Sequence, residues 1–216
     1  MLFRSIYGIN YISYHFLDDS FDREILKKIK NYDYILVSIP PKNGIDIVIK
    51  NFQETLEILK SNWITYLSAT SVYGDHNGEW VDENSKVNPL TENGKSRLNA
   101  EKMWINIAKK KNLPIQIFRL SGIYSQERNI LEKIKSGSHQ IIDKPNHFFS
   151  RIHVEDISNV LKITLDSKYI KPGEIYNLSD DYPCSNIEIA NYAYEMMKVR
   201  SEEHTSELQS RTNLVC

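Results

Sequence analysis

Residues 66–104 read YLSATSVYGDHNGEWVDENSKVNPLTENGKSRLNAEKMW, and this stretch sets the order of the predicted elements. It begins inside the apolar, β-branched run WITYL at 63–67, which is typical of a buried strand. Small and hydroxyl residues at 68–71 predict a turn after that strand, and a polar loop follows VYG at 72–74. From about Ser96 onwards, apolar residues recur at helical spacing. The stretch therefore predicts a strand, a turn, a long polar loop and a helix.

Strand and helix patterns alternate on both sides of this stretch. Further strands are predicted for the extended apolar runs at 9–16, 34–39, 115–120, 148–154 and 174–178. Further helices are predicted where apolar residues recur at helical spacing, over 22–30, 46–60, 129–135, 155–167 and 185–198. This alternation favours an α/β protein with a doubly wound parallel sheet.

The composition is that of an ordinary globular protein. The 216 residues are 41% hydrophobic and 25% charged, and the net charge of −1 favours neither nucleic acid nor an anionic membrane surface as a partner. No apolar run approaches the roughly 20 residues of a membrane-spanning helix. The two cysteines indicate no disulfide framework, and no spacing of His, Cys, Asp or Glu is typical of a metal site. We expect a cytoplasmic protein whose partner is a small molecule.

Six short motifs carry a resemblance to a known family. They are SIPP at 38–41, SVYGD at 71–75, WVDE at 80–83, RLSGIY at 119–124, FSRIHVEDI at 149–157 and IYNLSDD at 175–181. Together they resemble an atypical branch of the extended short-chain dehydrogenases/reductases, of the NAD-dependent epimerase/dehydratase type. The resemblance implies a Rossmann-like fold, bound NAD or NADP, and a small C-terminal substrate-binding part at about 148–199.

The catalytic positions of that family hold other residues here. The family has a Ser or Thr three residues before the Val of its VYG-like turn, then a Tyr and a Lys as YxxxK on the next helix. Alignment on the turn and on Ala100-Glu101 places Ala69, Asn93 and Arg97 at these positions. An amide is no acid near neutral pH, whereas arginine keeps the charge and can bind ribose or phosphate. Arg97 is then either a cofactor ligand or a solvated helix-face arginine. The spacing of four residues places Arg97 and Asn93 on the same face of the helix.

Three other residues near the strand end are candidates for catalysis or substrate binding, and each also has a purely structural interpretation. Thr70 either substitutes for the missing hydroxyl or is a plain turn residue. Tyr73 either acts as a displaced catalytic acid or packs in the core. His76 either titrates in a substrate pocket or lies in a polar turn. All three follow a predicted strand, and ligands of such sheets bind beyond the carboxyl ends of strands.

The resemblance also implies binding residues. Cofactor contacts are implied for Ser38, Pro40, Arg97, Ser121 and Gly122. Substrate contacts are implied for Arg151 and His153, because the segment at 148–154 faces the substrate cleft in that family. A substrate contact is also expected for His76, because it lies beyond the end of a predicted strand. Arg151 and His153 flank one residue and so share a side of an extended segment, where Arg151 suits an anionic group. The alternative for Arg151 is an ion pair with Glu155 or Asp156.

Both ends of the chain depart from the family pattern. None of the 8 glycines lies in a GxGxxG or GxxGxxG pattern, which gives the backbone its approach to a pyrophosphate. The runs at 9–16 and 34–39 resemble the third and fourth strands of the family, so we expect a fragment without the Gly-rich strand-turn-helix, or else a different α/β fold. In a fragment, the run at 9–16 is expected to lie across a gap without strand partners. Residues 200–216 begin RSEEHTSELQS, which resembles a translated sequencing adapter, and are expected to be non-native.

These observations leave three functions open. The first is an NAD(P)-binding, epimerase-like protein that acts on or binds a nucleotide-sugar-like or other small carbonyl or hydroxyl compound, and is inactive as this fragment. The second is an active oxidoreductase or epimerase that uses a displaced acid. The third is a non-catalytic NAD(P)-binding regulatory or scaffold protein. Whether the chain is an enzyme is not decided by its sequence, nor is the choice of NAD over NADP.

Overall fold

The computed structural model describes residues 24–139, 146–165 and 170–198. Its helices are α1 (Glu24–Lys28), α2 (Ile47–Leu56), α3 (Glu92–Lys111), α4 (Ile130–Lys135), α5 (Val154–Ile163) and α6 (Asn186–Met197). Its strands are β1 (Tyr34–Val37), β2 (Trp63–Ala69), β3 (Ile115–Leu120), β4 (Gly122–Tyr124), β5 (Phe148–Phe149), β6 (Arg151–His153), β7 (Glu174–Leu178) and β8 (Cys184–Ser185). Two 3₁₀ turns lie at Ile29–Asn31 and Thr70–Val72. The predicted strand at 9–16 and the tail at 200–216 lie outside the described residues.

A four-stranded sheet with the order β1-β2-β3-β7 forms the centre of the fold. β1 pairs with β2 in parallel, and β2 pairs with β3 in parallel with Tyr66 opposite Ile117. The helices α2 and α3 lie in the connections between these parallel strands. The prediction of an α/β fold with a parallel sheet is therefore confirmed.

The chain divides into two compact units. Unit 1 contains the described residues within 1–75, 81–120 and 161–177, and unit 2 those within 76–80, 121–160 and 178–216. The predicted substrate-binding part at about 148–199 falls largely within unit 2, but unit 2 already begins at Ser121 and includes the short segment 76–80. The substrate-binding role of that part stays a prediction.

The core of unit 1 lies on the sheet face covered by α2 and α3. Alternate residues of the strands point into it, among them Val37, Ile64 and Ile117, all of which are buried. The ring of Trp104 in α3 stacks on that of Tyr66 in β2, with ring centres 5.6 Å apart. Aromatic pairs of this kind add about 0.5–1.5 kcal/mol beyond the burial of their area, so this contact helps to hold α3 on the sheet.

Asp46 fixes the start of α2 and ties it to α3. Its Oδ1 accepts the backbone N–H groups of Val48 and Ile49 at 2.9 and 3.0 Å, which is the arrangement of a helix N-cap. Its Oδ2 accepts Nε1–H of Trp104 at 2.9 Å, and the Asp46 side chain is buried. Burial raises the pKa of Asp46, against the lowering effect of these three hydrogen bonds.

Asp46→Asn should destabilise the fold by about 1–3 kcal/mol. Asp46 meets three N–H donors, so an amide must turn its own NH₂ group towards one of them. A raised pKa in the folded state means that part of the wild-type stability is present below about pH 4 and is lost as the pH rises through the folded pKa. Urea unfolding from mildly acidic to neutral pH should show this slope in the wild type and not in Asp46→Asn. Because asparagine is itself a good N-cap residue, equal stabilities of the two proteins would contradict the argument that this position needs both oxygens as acceptors.

The described part of unit 2 contains two small sheets, a helix pair and the first part of α5. β4 and β6 are parallel, and β5 and β8 are antiparallel. α4 and α6 pack through a buried cluster that includes Ile134, Ala190 and Tyr194. Within the described part of the chain, no helix of either unit has the length and apolar character needed to cross a membrane.

Candidate functional site

The candidate site lies in unit 1, where β2 ends and α3 begins. Thr91 is the N-cap of α3, and its Oγ1 accepts N–H of Gly94 at 3.1 Å, so the helix begins four residues before the predicted Ser96. A Cβ atom on Gly94 would lie 2.8 Å from the carbonyl oxygen of Ser71 and 2.9 Å from Cβ of Pro89. Only glycine fits this approach, which brings the first turn of α3 against the 3₁₀ turn after β2.

Arg97 projects from α3 onto the carboxyl half of β2. Its Nη1 donates to the carbonyl oxygen of Leu67 at 3.2 Å, and the side chain is half-buried. Burial raises the pKa of the Tyr66 hydroxyl, the charge of Asp46 acts in the same direction, and the Arg97 guanidinium opposes both. The cation therefore lies beside the carboxyl half of β2, and its role as a cofactor ligand stays a prediction. Asn93, one helical turn earlier, is exposed.

The turn after β2 carries the remaining hydroxyl candidate. Ala69 is the last residue of β2, and Thr70 opens the 3₁₀ turn, where its carbonyl oxygen accepts N–H of Tyr73 at 3.0 Å. Thr70 is partly buried and Ser71 is exposed. The backbone thus uses Thr70 as a turn residue, and a catalytic role for its hydroxyl stays a prediction.

Tyr73 belongs to a buried hydrogen-bond network. Its hydroxyl accepts Nη1–H of Arg119 at 2.9 Å and donates to Oδ1 of Asn177 at 2.7 Å. Since a guanidinium can only donate, the proton of the phenol must point to Asn177. The Arg119 guanidinium also lies 4.8 Å from the centre of the Tyr73 ring. To act as a displaced acid, Tyr73 would have to break these hydrogen bonds. The burial of Tyr73 therefore disfavours a catalytic role for its hydroxyl.

A buried ion pair extends the network to α3. Nη2 of Arg119 lies 2.8 Å from Oε2 of Glu101, and Nε donates to Oε1 at 3.1 Å. The two side chains are 4% and 1% exposed, so each needs the other to compensate its charge. Glu101 lies one turn after Arg97, and the pair therefore fixes α3 on the sheet beside the candidate site.

The sequence interpretation missed this pair. The signal is faint: a charged residue, Arg119, stands within the buried strand IQIFRL, and Glu101 shares a helix face with Trp104. A charged residue at a core position indicates that a residue of opposite charge lies beside it, but the sequence does not identify that residue.

The loop after Tyr73 is anchored at both ends and in its middle. N–H of Asn88 donates to the carbonyl oxygen of Tyr73 at 3.1 Å, which closes the loop. Within the loop, Oε1 of Glu83 accepts N–H of Asn177 at 2.6 Å. Asp82 accepts from Ser85, and this hydrogen bond lowers the pKa of Asp82. The motif WVDE at 80–83 is thus explained in part by structure, since its last residue binds β7.

The predicted cofactor residues divide between the units. In unit 1, Ser38 and Pro40 follow β1 and are exposed, so both are accessible to a ligand. In unit 2, the hydroxyl of Ser121 is buried and donates to the carbonyl oxygen of Leu178 at 3.0 Å. A Cβ atom on Gly122 would make only ordinary contact, 3.4 Å from the carbonyl oxygen of Ser150, so packing does not require glycine there. Cofactor contacts of all four stay predictions.

Arg151 in unit 2 is held by its neighbours. Its Nη1 donates to the carbonyl oxygen of Phe149 and to Sγ of Cys184, each at 3.0 Å. The predicted alternative, an ion pair with Glu155 or Asp156, does not occur within the described residues. The guanidinium is half-buried, and an anion would have to reach its remaining N–H groups.

The two predicted histidines also lie in unit 2. The His153 ring meets Tyr124 edge to face at 5.1 Å, and its Nδ1 lies 3.9 Å from Oε2 of Glu155. His76 opens a turn in which its carbonyl oxygen accepts N–H of Glu79 at 3.0 Å. No group of three His, Cys, Asp or Glu side chains in the described ranges is placed to hold a metal ion. Substrate contacts of Arg151, His153 and His76 stay predictions.

No protein-family model matches the chain, and no curated protein sequence does. Solved structures do. A functionally unknown conserved protein from Silicibacter pomeroyi DSS is 37% identical, with a TM-score of 0.70 over 77% of this chain and 58% of its own. UDP-glucuronic acid 4-epimerase from Bacillus cereus, in complex with NAD, is 18% identical with a TM-score of 0.70, over 82% and 63% of the two chains.

A third similar structure is dTDP-glucose 4,6-dehydratase from Bacillus anthracis str. Ames in complex with NAD. It is 15% identical, with a TM-score of 0.67 over 83% of this chain and 61% of its own. The chain thus spans less than two thirds of the length of each of these three proteins. At these identities the similarity to the two enzymes concerns the fold, and this chain therefore has the Rossmann-like α/β fold of NAD-dependent epimerases and dehydratases.

Proposed function

We propose that the protein binds NAD or NADP at the carboxyl edge of its central sheet and binds or acts on a nucleotide-sugar-like or other small carbonyl or hydroxyl compound. The position of Arg97 carries the proposal: a half-buried cation beside the carbonyl oxygen of Leu67 at the strand end. In such sheets, ligands bind beyond the carboxyl ends of the strands. The two enzymes with this fold were crystallised with NAD, which supports the choice of ligand.

The described residues fit part of the cofactor. The N–H groups of Arg97 that do not bind Leu67 suit a ribose hydroxyl or a phosphate, and exposed Ser38 and Pro40 border the same strand edge. The sequence has no Gly-rich pattern for a pyrophosphate. Bound NAD(P) would supply hydride chemistry. This chain would hold its ribose and supply no phenolic acid from α3, since Asn93 is an amide.

Arg97→Ala should weaken the binding of NADH or NADPH by roughly tenfold or more, because a charge-assisted hydrogen bond is worth about 1.5–3 kcal/mol. Fluorescence titration of the reduced cofactors measures the Kd. Lys102→Ala is the matched control, since it removes an exposed cation from the same helix and should leave the Kd unchanged. If the wild type binds neither cofactor, or if both variants bind alike, the proposed function is wrong.

The second candidate is a non-catalytic NAD(P)-binding regulatory or scaffold protein. It is favoured by Ala69 and Asn93 at the family's hydroxyl and phenol positions, and by the burial of Tyr73. Without an exposed acid at the strand end, proton transfer to or from a sugar hydroxyl lacks the donor that the family uses.

On this view, UDP-sugars and dTDP-glucose should not be turned over by the wild-type chain in the presence of NAD. The assay follows product sugars by chromatography and NADH by absorbance. Adding Ala69→Ser, Asn93→Tyr and Arg97→Lys together should create measurable turnover if these positions alone are limiting. Wild-type turnover that is lost in Tyr73→Phe would contradict this prediction and favour the displaced acid.

A further inference from the structure

The sequence contains three Asn-Gly pairs, at 43–44, 77–78 and 93–94. This pair permits spontaneous deamidation, because glycine has no Cβ to hinder the approach of its nitrogen to the asparagine side chain. The deprotonated glycine nitrogen attacks Cγ of asparagine, a C–N bond forms, and ammonia leaves. Water then opens the resulting succinimide to aspartate or isoaspartate. The sequence does not distinguish the three pairs, but their backbone hydrogen bonds do.

Two of the three glycine nitrogens are engaged. N–H of Gly94 donates to Oγ1 of Thr91 at 3.1 Å inside the first turn of α3. N–H of Gly44 donates to Oγ of Ser96 at 3.1 Å. The Gly44 turn is closed further by two backbone bonds between Lys42 and Ile45, of 2.9 and 3.0 Å. A nitrogen whose hydrogen is held in this way loses its proton less readily and is kept away from the side chain that it must attack.

Gly78 differs from both. It lies in the exposed turn 76–79, with Asn77 at φ 55° and Gly78 at φ 86°. A backbone bond from N–H of Glu79 to the carbonyl oxygen of His76 closes the turn, and the Gly78 nitrogen itself donates no hydrogen bond to any residue that the structure describes. We propose that Asn77 is the site of spontaneous deamidation in this protein.

The change would alter unit 2 at this turn. It adds a carboxylate to a turn that already carries Asp75 and Glu79 at its ends. Isoaspartate also lengthens the backbone by one atom just before Gly78. An atom placed on Gly78 as a Cβ would lie 3.1 Å from the carbonyl oxygen of Asn146 and 3.3 Å from the Phe148 ring, so little room is left there. Deamidation should therefore shift the packing of 76–80 on 146–148 and act as a slow marker of the protein's age.

The experiment incubates the folded chain in mildly alkaline heavy-oxygen water, digests it, and follows the three peptides by mass spectrometry. The Asn77 peptide should take up label several-fold faster than the Asn43 and Asn93 peptides. In concentrated urea the three peptides should react at similar rates, because all the hydrogen bonds are gone. A faster reaction at Asn43 or Asn93 in the folded chain would overturn the proposal, and so would the same order of rates in urea.

Two variants test the cause. Ser96→Ala frees the Gly44 nitrogen and should speed the reaction at Asn43 without changing that at Asn77. Asn77→Gln should abolish the fastest labelling, because the longer side chain forms the ring much less readily. An unchanged rate at Asn43 in folded Ser96→Ala would show that the hydrogen bond to glycine does not control the reaction, and the assignment of Asn77 would lose its basis.

Discussion

Arg119→Met should lower the free energy of unfolding by about 3–5 kcal/mol, because it leaves the buried Glu101 carboxylate without its partner. Glu101 is 1% exposed and receives three of the Arg119 hydrogen bonds, so water cannot replace the guanidinium. The Tyr73 hydroxyl also loses its donor. Urea unfolding followed by tryptophan fluorescence measures the loss.

A surface ion pair on the same helix gives the control. Lys95 and Glu92 are 2.7 Å apart, but their side chains are 54% and 86% exposed. Lys95→Met should therefore change the stability by no more than about 0.5 kcal/mol. The double variant Arg119→Met with Glu101→Leu should recover most of the loss, since it removes both buried charges. A small effect of Arg119→Met alone, or a double variant as unstable as the single one, would contradict the buried-charge argument.

The regular elements of the sheet were predictable from local patterns. Residues 115–120 and 174–178 form strands with the predicted bounds, and the strand predicted at 63–67 continues to Ala69. The strand predicted at 34–39 ends earlier, at Val37, before the prolines at 40 and 41. Short apolar runs of this kind are identified as strands by their length, by their β-branched and aromatic residues and by the turn residues that bound them, all of which are local features of the sequence.

The candidate site was predictable only in part. Motif spacing predicts Arg97 as a cofactor ligand; in the structure Arg97 donates to the carbonyl oxygen of Leu67, and the cofactor contact stays a prediction. The network of Tyr73, Arg119 and Asn177 was not predictable, since its members are 46 and 104 residues away from Tyr73 along the chain. Hydrogen bonds between distant residues depend on how the elements pack, and a single sequence records only that buried polar residues need partners.

Both a local turn and a contact with a distant residue require glycine at position 74. Gly74 has a φ of +79°, a backbone conformation that glycine adopts without strain and that suits a turn between VYG and a polar loop. The close contact with Asn88, fourteen positions further on, is visible only in the structure. A Cβ atom on Gly74 would lie 2.0 Å from the carbonyl oxygen of Asn88 and 2.9 Å from its carbonyl carbon.

Gly74→Ala should therefore cost more than about 4 kcal/mol, a value that single substitutions exceed only with a specific structural cause. The positive φ accounts for about 1–2 kcal/mol of this loss. The remainder comes from the clash, because the Asn88 backbone donates a hydrogen bond to Tyr73. Asn88 can move away from the new Cβ atom only by breaking that hydrogen bond. If the loop ends separate instead, Glu83 should lose its bond to Asn177, and proteolysis should cut within 75–88.

Gly44→Ala separates the two causes. Gly44 has nearly the same φ, +78°, and lies in the same unit, but a Cβ atom there would meet nothing within 4 Å. It should lose only the cost of the left-handed backbone, about 1–2 kcal/mol. Thermal and urea unfolding of the two variants beside the wild type give the difference, which isolates the contact with Asn88. Equal losses in the two variants would mean that the loop relaxes freely, and that the closure at Tyr73 and Asn88 does not fix the segment that carries Glu83 to β7.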